Sequence, residues 1–237
     1  MNLLALDTST EKMSLAVQRS DAASHTSELW QHSAEGGAQT SAHLIPAIQS
    51  LMAQAGLAFS QLDAIVFGSG PGSFTGLRTA CSVAQGLALG ANVKVLPMDT
   101  LLAVAEEARS QHAAGLGHFQ VQALLDARMD EMYAARYVFT SGLWTQTEGH
   151  RLIHPEDLDC DAAWTLAGNV FVNYGARLPC PEAPRVEVLP TAAAMLRLAP
   201  ALLAAGAALP ADQALPLYIR DKVAKTTLER AAEKAAA

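Results

Sequence analysis

The 237-residue chain has little of what would assign it to several common classes. No apolar run approaches the ~18 residues of a membrane span. Met1-Asn-Leu-Leu-Ala-Leu-Asp7 carries no basic residue and breaks its apolar run at Asp7, so it is not expected to act as a secretion signal. The three cysteines, Cys81, Cys160 and Cys180, include no C-x-x-C pair and are odd in number, which fits a reducing, cytoplasmic setting best. Basic residues are outnumbered, 16 Lys and Arg against 23 Asp and Glu, and nowhere clustered. At a net charge of −7 the chain is a poor binder of nucleic acid on its own, because phosphate contacts dominate such affinity. The glycines do not fit G-x-G-x-x-G and no Gly-Lys-Ser/Thr follows them, so both common nucleotide signatures are missing.

What the chain does have is a hydrophobic content of 51%, ample for a core, and one organising stretch, Gly68-Ser-Gly-Pro-Gly-Ser-Phe-Thr-Gly-Leu-Arg78. It follows Leu62-Asp-Ala-Ile-Val-Phe67, which has the pattern of a buried strand, and precedes a small-residue helix from Thr79 to Gly90. Gly70 and Gly72 around Pro71 permit backbone angles that side chains forbid, and Ser73 or Thr75 can cap the helix. A glycine turn aimed into a helix N-terminus can cradle an anion. With the signatures missing, the turn of Gly70, Pro71, Gly72, Ser73, Thr75 and Gly76 is expected instead to shape the backbone and a partner-facing surface.

Around this stretch the order of elements repeats. Leu3–Leu6 predicts a strand ending at Asp7, Met13–Gln18 its hairpin partner, and residues 26–32 a third strand, with Gly36-Gly37 closing that edge. A helix is expected over 39–56, capped by Thr40 or Ser41 and stopped by Gly56, then a strand at Val93–Pro97 and a helix at Thr100–Gln111. Gly115-Leu-Gly117 marks a hinge. Beyond it, Val121–Tyr137 repeats the opening hairpin: an apolar strand ends in Asp126 and Met132 starts the return, as Asp7 and Met13 do. Val186-Glu-Val-Leu-Pro190 then repeats Val93-Lys-Val-Leu-Pro97, each ahead of an apolar helix. This is an internal duplication whose second copy, the shorter, is expected to lack the long helix. The implied class is α/β with the actin-like plan of sugar kinases and heat-shock ATPases. Lobes are expected at 1–112 and 118–208, with 212–225 packing back on the first lobe and 228–237, an Ala and charge tract, fraying.

The whole chain resembles the bacterial TsaB (YeaZ) family. The likeness is carried by Leu4-Ala-Leu-Asp-Thr-Ser9, His43-Leu-Ile-Pro46, Gly70-Pro-Gly-Ser-Phe-Thr-Gly-Leu-Arg78, Leu125-Asp-Ala-Arg128 and Pro216-Leu-Tyr-Ile-Arg220. The resemblance implies an actin-like (ASKHA) fold of two duplicated lobes, the second reduced. It also implies a part in forming N6-threonylcarbamoyladenosine (t6A) at position 37 of tRNAs that read ANN codons. Members pair with the catalytic paralogue TsaD, and TsaE joins the pair with ATP. The family is regarded as the non-catalytic scaffold, with no cofactor of its own, ATP or ADP entering only in the assembled complex, and tRNA reached only through it.

The residues are compatible with that passive part. In the catalytic paralogue a His-x-x-x-His helix binds metal directly after the strand equivalent to Val93–Pro97. Here Thr100 and Val104 occupy those places, and neither can ligate as histidine does. His150-x-x-x-His154 is followed by Pro155, which disfavours the helix such a pair needs. Asp7 and Asp126 could flank an interlobe cleft as a carboxylate pair. The alternative, that each ends a strand and bonds turn amides, is favoured because Asp7-Thr-Ser-Thr lacks the glycine that admits phosphates. Cys81 is expected buried and inert. No catalytic, cofactor or metal residue is therefore assigned.

A partner interface is expected on helices 39–56 and 76–90, at Leu44, Ile45, Ile48, Leu51, Met52, Arg78, Ser82 and Gly86, the rival being that the apolar ones are core. A homodimer is plausible for the lone chain on the same grounds. The rival functions are an ATP-dependent small-molecule kinase and a metallopeptidase-like enzyme on this fold.

Overall fold

The computed structural model describes residues 1–21, 26–37 and 40–220. The expectations for 221–225 and 228–237 lie outside these. The first five-stranded sheet is built from β1 (Leu3–Asp7), β2 (Lys12–Asp21), β3 (Thr26–Glu35), β4 (Ala64–Gly70) and β5 (Lys94–Asp99), in the order β3-β2-β1-β4-β5. β1 is antiparallel to β2 and parallel to β4, and it is buried at every residue, as a strand covered on both faces must be.

One face of this sheet, bearing Leu4, Leu6, Leu15, Ile65 and Phe67, is covered by α1 (Thr40–Ala55) and α2 (Phe74–Ala91). Here the interface expectation needs correcting. Leu44 and Ile48 are 0% exposed and Leu51 and Met52 3%, all within the core cluster, whereas Ile45 is 43% exposed. The spacing i, i+4, i+7, i+8 puts these four side chains on one narrow stripe, and the sheet takes the whole of it. The stripe itself is core, and of the α1 residues expected at the interface Ile45 alone is exposed.

α2 also begins earlier than its sequence suggests. Ser73 is the N-cap, its Oγ accepting from the Gly76 amide at 3.4 Å, so Phe74 to Gly76 form the first turn rather than a loop. The helix passes through Gly90 and stops at Asn92, whose left-handed φ of 55° supplies the C-cap.

The second five-stranded sheet repeats the plan with β6 (His118–Arg128), β7 (Glu131–Thr140), β8 (Leu143–Ile153), β9 (Thr165–Gly168) and β10 (Arg185–Glu187), ordered β8-β7-β6-β9-β10. The same pairings recur, two antiparallel and two parallel. Between β8 and β9, where the first copy has α1, there is one 3-10 turn, Pro155–Asp157. In place of α2 there is a single helical turn, α4 (Phe171–Tyr174).

α3 (Thr100–His112) and α5 (Ala192–Ala204) follow the two sheets but change places. Leu101, Val104, Ala105 and Ala108 of α3 pack on Val121, Ala123 and Leu125 of the second sheet. Ala192, Met195, Leu196 and Ala199 of α5 pack on Leu3, Ala5, Val66 and Leu96 of the first. A boundary between 112 and 118 thus separates the sheets but not their cores. Glu106, 2% exposed, ties the junction: Arg109 and Arg197 donate to it, as does Trp144 Nε1 at 3.0 Å. Burial opposes its ionisation, but these donors outweigh that and hold its carboxyl below the usual range.

Residues 209–218 return to the first lobe, whereas Ile219 packs on the second-sheet core and Arg220 bonds Glu131, so the expected packing of 212–225 on the first lobe holds only in part. Leu209 bridges Val95, the buried Ala214 carbonyl accepts from Gln85 Nε2 at 2.9 Å, and the Leu217 amide donates to Ser69 at 2.7 Å. Cys160 and Cys180 stand side by side, their Cα atoms 5.7 Å apart, a neighbourhood that the reading of a reducing setting did not anticipate, and Cys81 is free and buried.

Candidate functional site

The glycine turn lies where the β1–β2 corner, β4 and the start of α2 meet. Gly70 has φ +134°, and a Cβ there would stand 2.4 Å from the Leu217 carbonyl, so both angle and space demand glycine. The Gly70–Pro71 bond is cis. Gly72 needs no left-handed angle; it is glycine because a Cβ would meet Ser9 at 2.7 Å. Gly76 is tighter, with a Cβ falling 1.8 Å from the Thr8 carbonyl. Thr8 Oγ1 donates to the Gly76 carbonyl at 2.7 Å and the Ser73 amide to Ser9 at 2.7 Å. Corner and helix start are therefore in backbone contact, and the Ser73 amide already has a protein partner.

Thr100, which the resemblance sets at the first ligand position of the paralogue, is fully buried, and its Oγ1 accepts from the Gly70 amide at 3.1 Å. Val104 is fully buried in the core. His150 sits on β8 against Asp99 at 3.0 Å, whereas His154 lies past the strand end and bonds the Asp130 carbonyl at 2.9 Å, so the two do not converge. Among the described residues no group of three His, Cys, Asp or Glu is placed to hold a metal ion.

Asp7 and Asp126 perform the same local task. Asp7 Oδ1 accepts from the Ser9 amide at 3.0 Å and its hydroxyl at 2.8 Å; Asp126 Oδ1 accepts from the Arg128 amide at 2.8 Å. They do not form a pair across the cleft. Asp126 lines it, but Asp7 is 0% exposed behind the corner, its Oδ2 without a hydrogen-bond partner and pressed against Gly68.

Burial pushes the Asp7 carboxyl up from 3.8 to about 6, against the bonds from Ser9. A folded-state value above the unfolded one means the native protein holds the extra proton between those limits. That contribution is complete below about pH 4 and lost as pH rises through 6. Asp7→Asn keeps the Oδ1 acceptor without the charge. It should leave stability at pH 4 nearly unchanged and raise it at pH 8 by up to ~3 kcal/mol. Thermal unfolding of both proteins at the two pH values checks this; equal differences at both would show Asp7 to be solvated.

Between the lobes runs a cleft of about 920 Å³, walled by the corner and α2 on one side and by Asp126, Arg128 and Asn169 on the other. Its cations are engaged: Arg220 pairs with Glu131 and Arg128 with Asp126. Outside the cleft, α2 presents Arg78, Ser82 and Gly86 to solvent one turn apart. The Arg78 guanidinium lies 3.8 Å from the Phe74 ring centre and its Nε donates to Tyr218 at 2.9 Å, which holds it in place.

Reading the sequence alone missed the cluster of Asp99, Tyr137 and His150. Asp99 caps α3 through the Leu101 and Leu102 amides, and its other oxygen accepts from Tyr137 at 2.5 Å and faces His150. Asp99 holds the imidazole above its usual value, and burial, reinforced by Asp99, pushes the Tyr137 hydroxyl up. An Asp directly before an apolar helix signals the cap; its partners two strands away have no sequence signal.

Residues 31–161 match the family model described as "TsaD: tRNA N6-adenosine threonylcarbamoyltransferase". The tRNA threonylcarbamoyladenosine biosynthesis protein TsaB of Escherichia coli is 30% identical over 233 residues, covering 94% of this chain and 96% of its own length. The protein of the same description from Haemophilus influenzae is 41% identical over 138 residues, 58% of this chain and 54% of its own. The solved structure of YeaZ from Pseudomonas aeruginosa superposes with a TM-score of 0.80 at 36% identity, over 92% of this chain and 99% of that one. On near full-length likeness in both sequence and structure, with the duplicated actin-like sheets, this chain belongs to the TsaB (YeaZ) family.

Proposed function

We propose that this chain is the non-catalytic scaffold subunit of the assembly that forms t6A at position 37 of tRNAs reading ANN codons, paired with a catalytic TsaD paralogue. The observation that carries the reading is the use made of Thr100 and Val104. Where the paralogue is expected to hold metal, Thr100 is bonded to the turn amide of Gly70 and Val104 is packed in the core. ATP or ADP enters only with the assembled complex and TsaE, since Thr8 and Ser9 already contact the start of α2. With its net charge of −7, the subunit reaches tRNA through its partners.

With the α1 stripe buried, the pairing surface is reduced to the exposed side of the two helices, namely Ile45, Arg78, Ser82 and Gly86. Ser82 and Gly86 stand one turn apart and let a partner helix approach closely. The same face would join two copies of the lone chain when TsaD is absent.

Titration of TsaD into the purified chain, with sizing of the product, tests the reading. A one-to-one complex is expected, with t6A formed by the complete set and neither t6A nor peptide cleavage by this chain alone. Gly86→Trp should weaken the complex about tenfold or more while the melting temperature stays within a few degrees. Undiminished binding would remove α2 from the interface, turnover by the lone chain would end the scaffold reading, and stabilisation by millimolar ATP would favour a kinase.

A further inference from the structure

Two cysteines that the proposed function does not use bracket the segment that supplies Asn169 to the second-lobe side of the cleft. We propose that Cys160 and Cys180 form a thiol–disulfide exchange site for a low-molecular-weight disulfide of the glutathione type, and that its closure fixes the Asp126 wall of the interlobe cleft. Their Cα atoms are 5.7 Å apart, within the range a disulfide bridges without backbone movement. Twenty residues separate them in sequence, and the bond closes a loop that contains β9 and α4.

The contents of that loop give the bond its consequence. Asp126, on β6, receives three of its bonds from residues inside it. Its amide donates to Asn169 Oδ1 at 2.9 Å, and its carboxylate accepts from Asn173 at 3.2 Å and from Tyr174 at 3.1 Å. Asn169 also reaches Glu11 on the opposite wall at 3.4 Å. β9 is held by its neighbours β6 and β10, but α4, which carries Asn173 and Tyr174, is a single turn that cannot hold its place by its own hydrogen bonds. Closing the loop removes conformations available to the open chain, so the bonds to Asp126 form more completely when the cysteines are joined.

The two sulfurs differ in access, which sets the order of events. Cys160 is half-buried, whereas Cys180 is 6% exposed and packs with Leu178 and Ala183. The Cys160 thiolate attacks one sulfur of the small disulfide, forming a mixed disulfide and expelling one small thiolate. The Cys180 thiolate then attacks the Cys160 sulfur, expelling the second. Two protein thiols are oxidised, one small disulfide is reduced to two thiols, and two protons leave the protein. A dithiol reverses the sequence. Cys81, buried on α2 with its Sγ 3.5 Å from the Ala214 carbonyl, takes no part.

The test uses the full chain. Protein reduced with dithiothreitol is exposed to oxidised glutathione, then weighed intact and after alkylation. The product is expected to be lighter by two hydrogens, to retain one cysteine that alkylates in denaturant, Cys81, and to regain the other two after treatment of the native protein with dithiothreitol. Closure should raise the melting temperature by about 5 °C or more. It should also slow hydrogen exchange at residues 165–174 about tenfold. Cys160→Ser should abolish both responses, and Cys81→Ser should keep them. A stable glutathione adduct on Cys160, three free thiols after treatment, or a bond that resists dithiothreitol in the native protein would each overturn the exchange site. Identical exchange at 165–174 in the two states would overturn its hold on the cleft wall. These readings come from the unsubstituted protein, so they stand even where a variant folds poorly.

Discussion

Ile48→Asp is expected to unfold the protein. Ile48 is completely buried in the middle of α1, packed with Leu44 and Met52 against the apolar face of the first sheet. Removing a buried side chain of that size costs ~2–5 kcal/mol through lost burial and the cavity left behind. An unpaired carboxylate in the same place adds a comparable penalty or must take up a proton. A total of about 5 kcal/mol or more is set against the roughly 5–15 kcal/mol that holds a domain together. Circular dichroism and urea titration should find little native population at 25 °C. Ile48→Val, by contrast, should cost ~1 kcal/mol. Ile45→Asp, three residues away but 43% exposed, should fold normally and lose affinity for the partner only. A well-folded Ile48→Asp would return the stripe to the surface.

Gly76→Ala should be nearly as damaging, for a different reason. The added methyl would stand 1.8 Å from the Thr8 carbonyl, a backbone atom that no rotamer change can move. Either the corner or the first turn of α2 must retreat, breaking the 2.7 Å bond from Thr8 to the Gly76 carbonyl. Overpacking against backbone, together with that lost bond, should cost about 3 kcal/mol or more. For a chain of this length that lowers the melting temperature by about 10 °C. Gly86→Ala supplies the contrast. Nothing lies within 4 Å of its added methyl, and an exposed glycine inside a helix weakens it, so this change should stabilise by ~0.5–1 kcal/mol. The same substitution ten residues apart in one helix should thus have opposite signs. If both proved neutral, the close contact between corner and helix would be wrong.

How much was legible in the sequence depended on whether the cause was local. The duplicated hairpins could be read because Asp7 and Asp126 carry their own turn chemistry, each carboxylate bonding the amide two residues on, although β1 ends at Asp7 while β6 runs past Asp126 to Arg128. The start of α2 was misplaced because Gly-Ser-Phe-Thr-Gly looks like loop; here glycine serves packing against Thr8, and Ser73 starts the helix. The α1 stripe was placed correctly on one face, but periodicity tells only that a face is apolar, not what covers it. Ile45 and Ile48 look alike in sequence and part company only once the sheet is in place. The Cys160–Cys180 pairing and the cluster of Asp99, Tyr137 and His150 join residues distant in the chain, and no spacing rule reaches them.

The exchange of α3 and α5 between the two sheets also bears on ancestry. Each half of the chain ends in a helix whose apolar side chains are buried chiefly against the sheet of the other half. Neither half could cover its own sheet with its own last helix in this arrangement. A single ancestral copy would have met the same need by trading that helix with a twin, as in a domain-swapped dimer. The trade also means that the two halves share their covering: the second sheet, which has no counterpart of α1, is covered on one face by α3 of the first half.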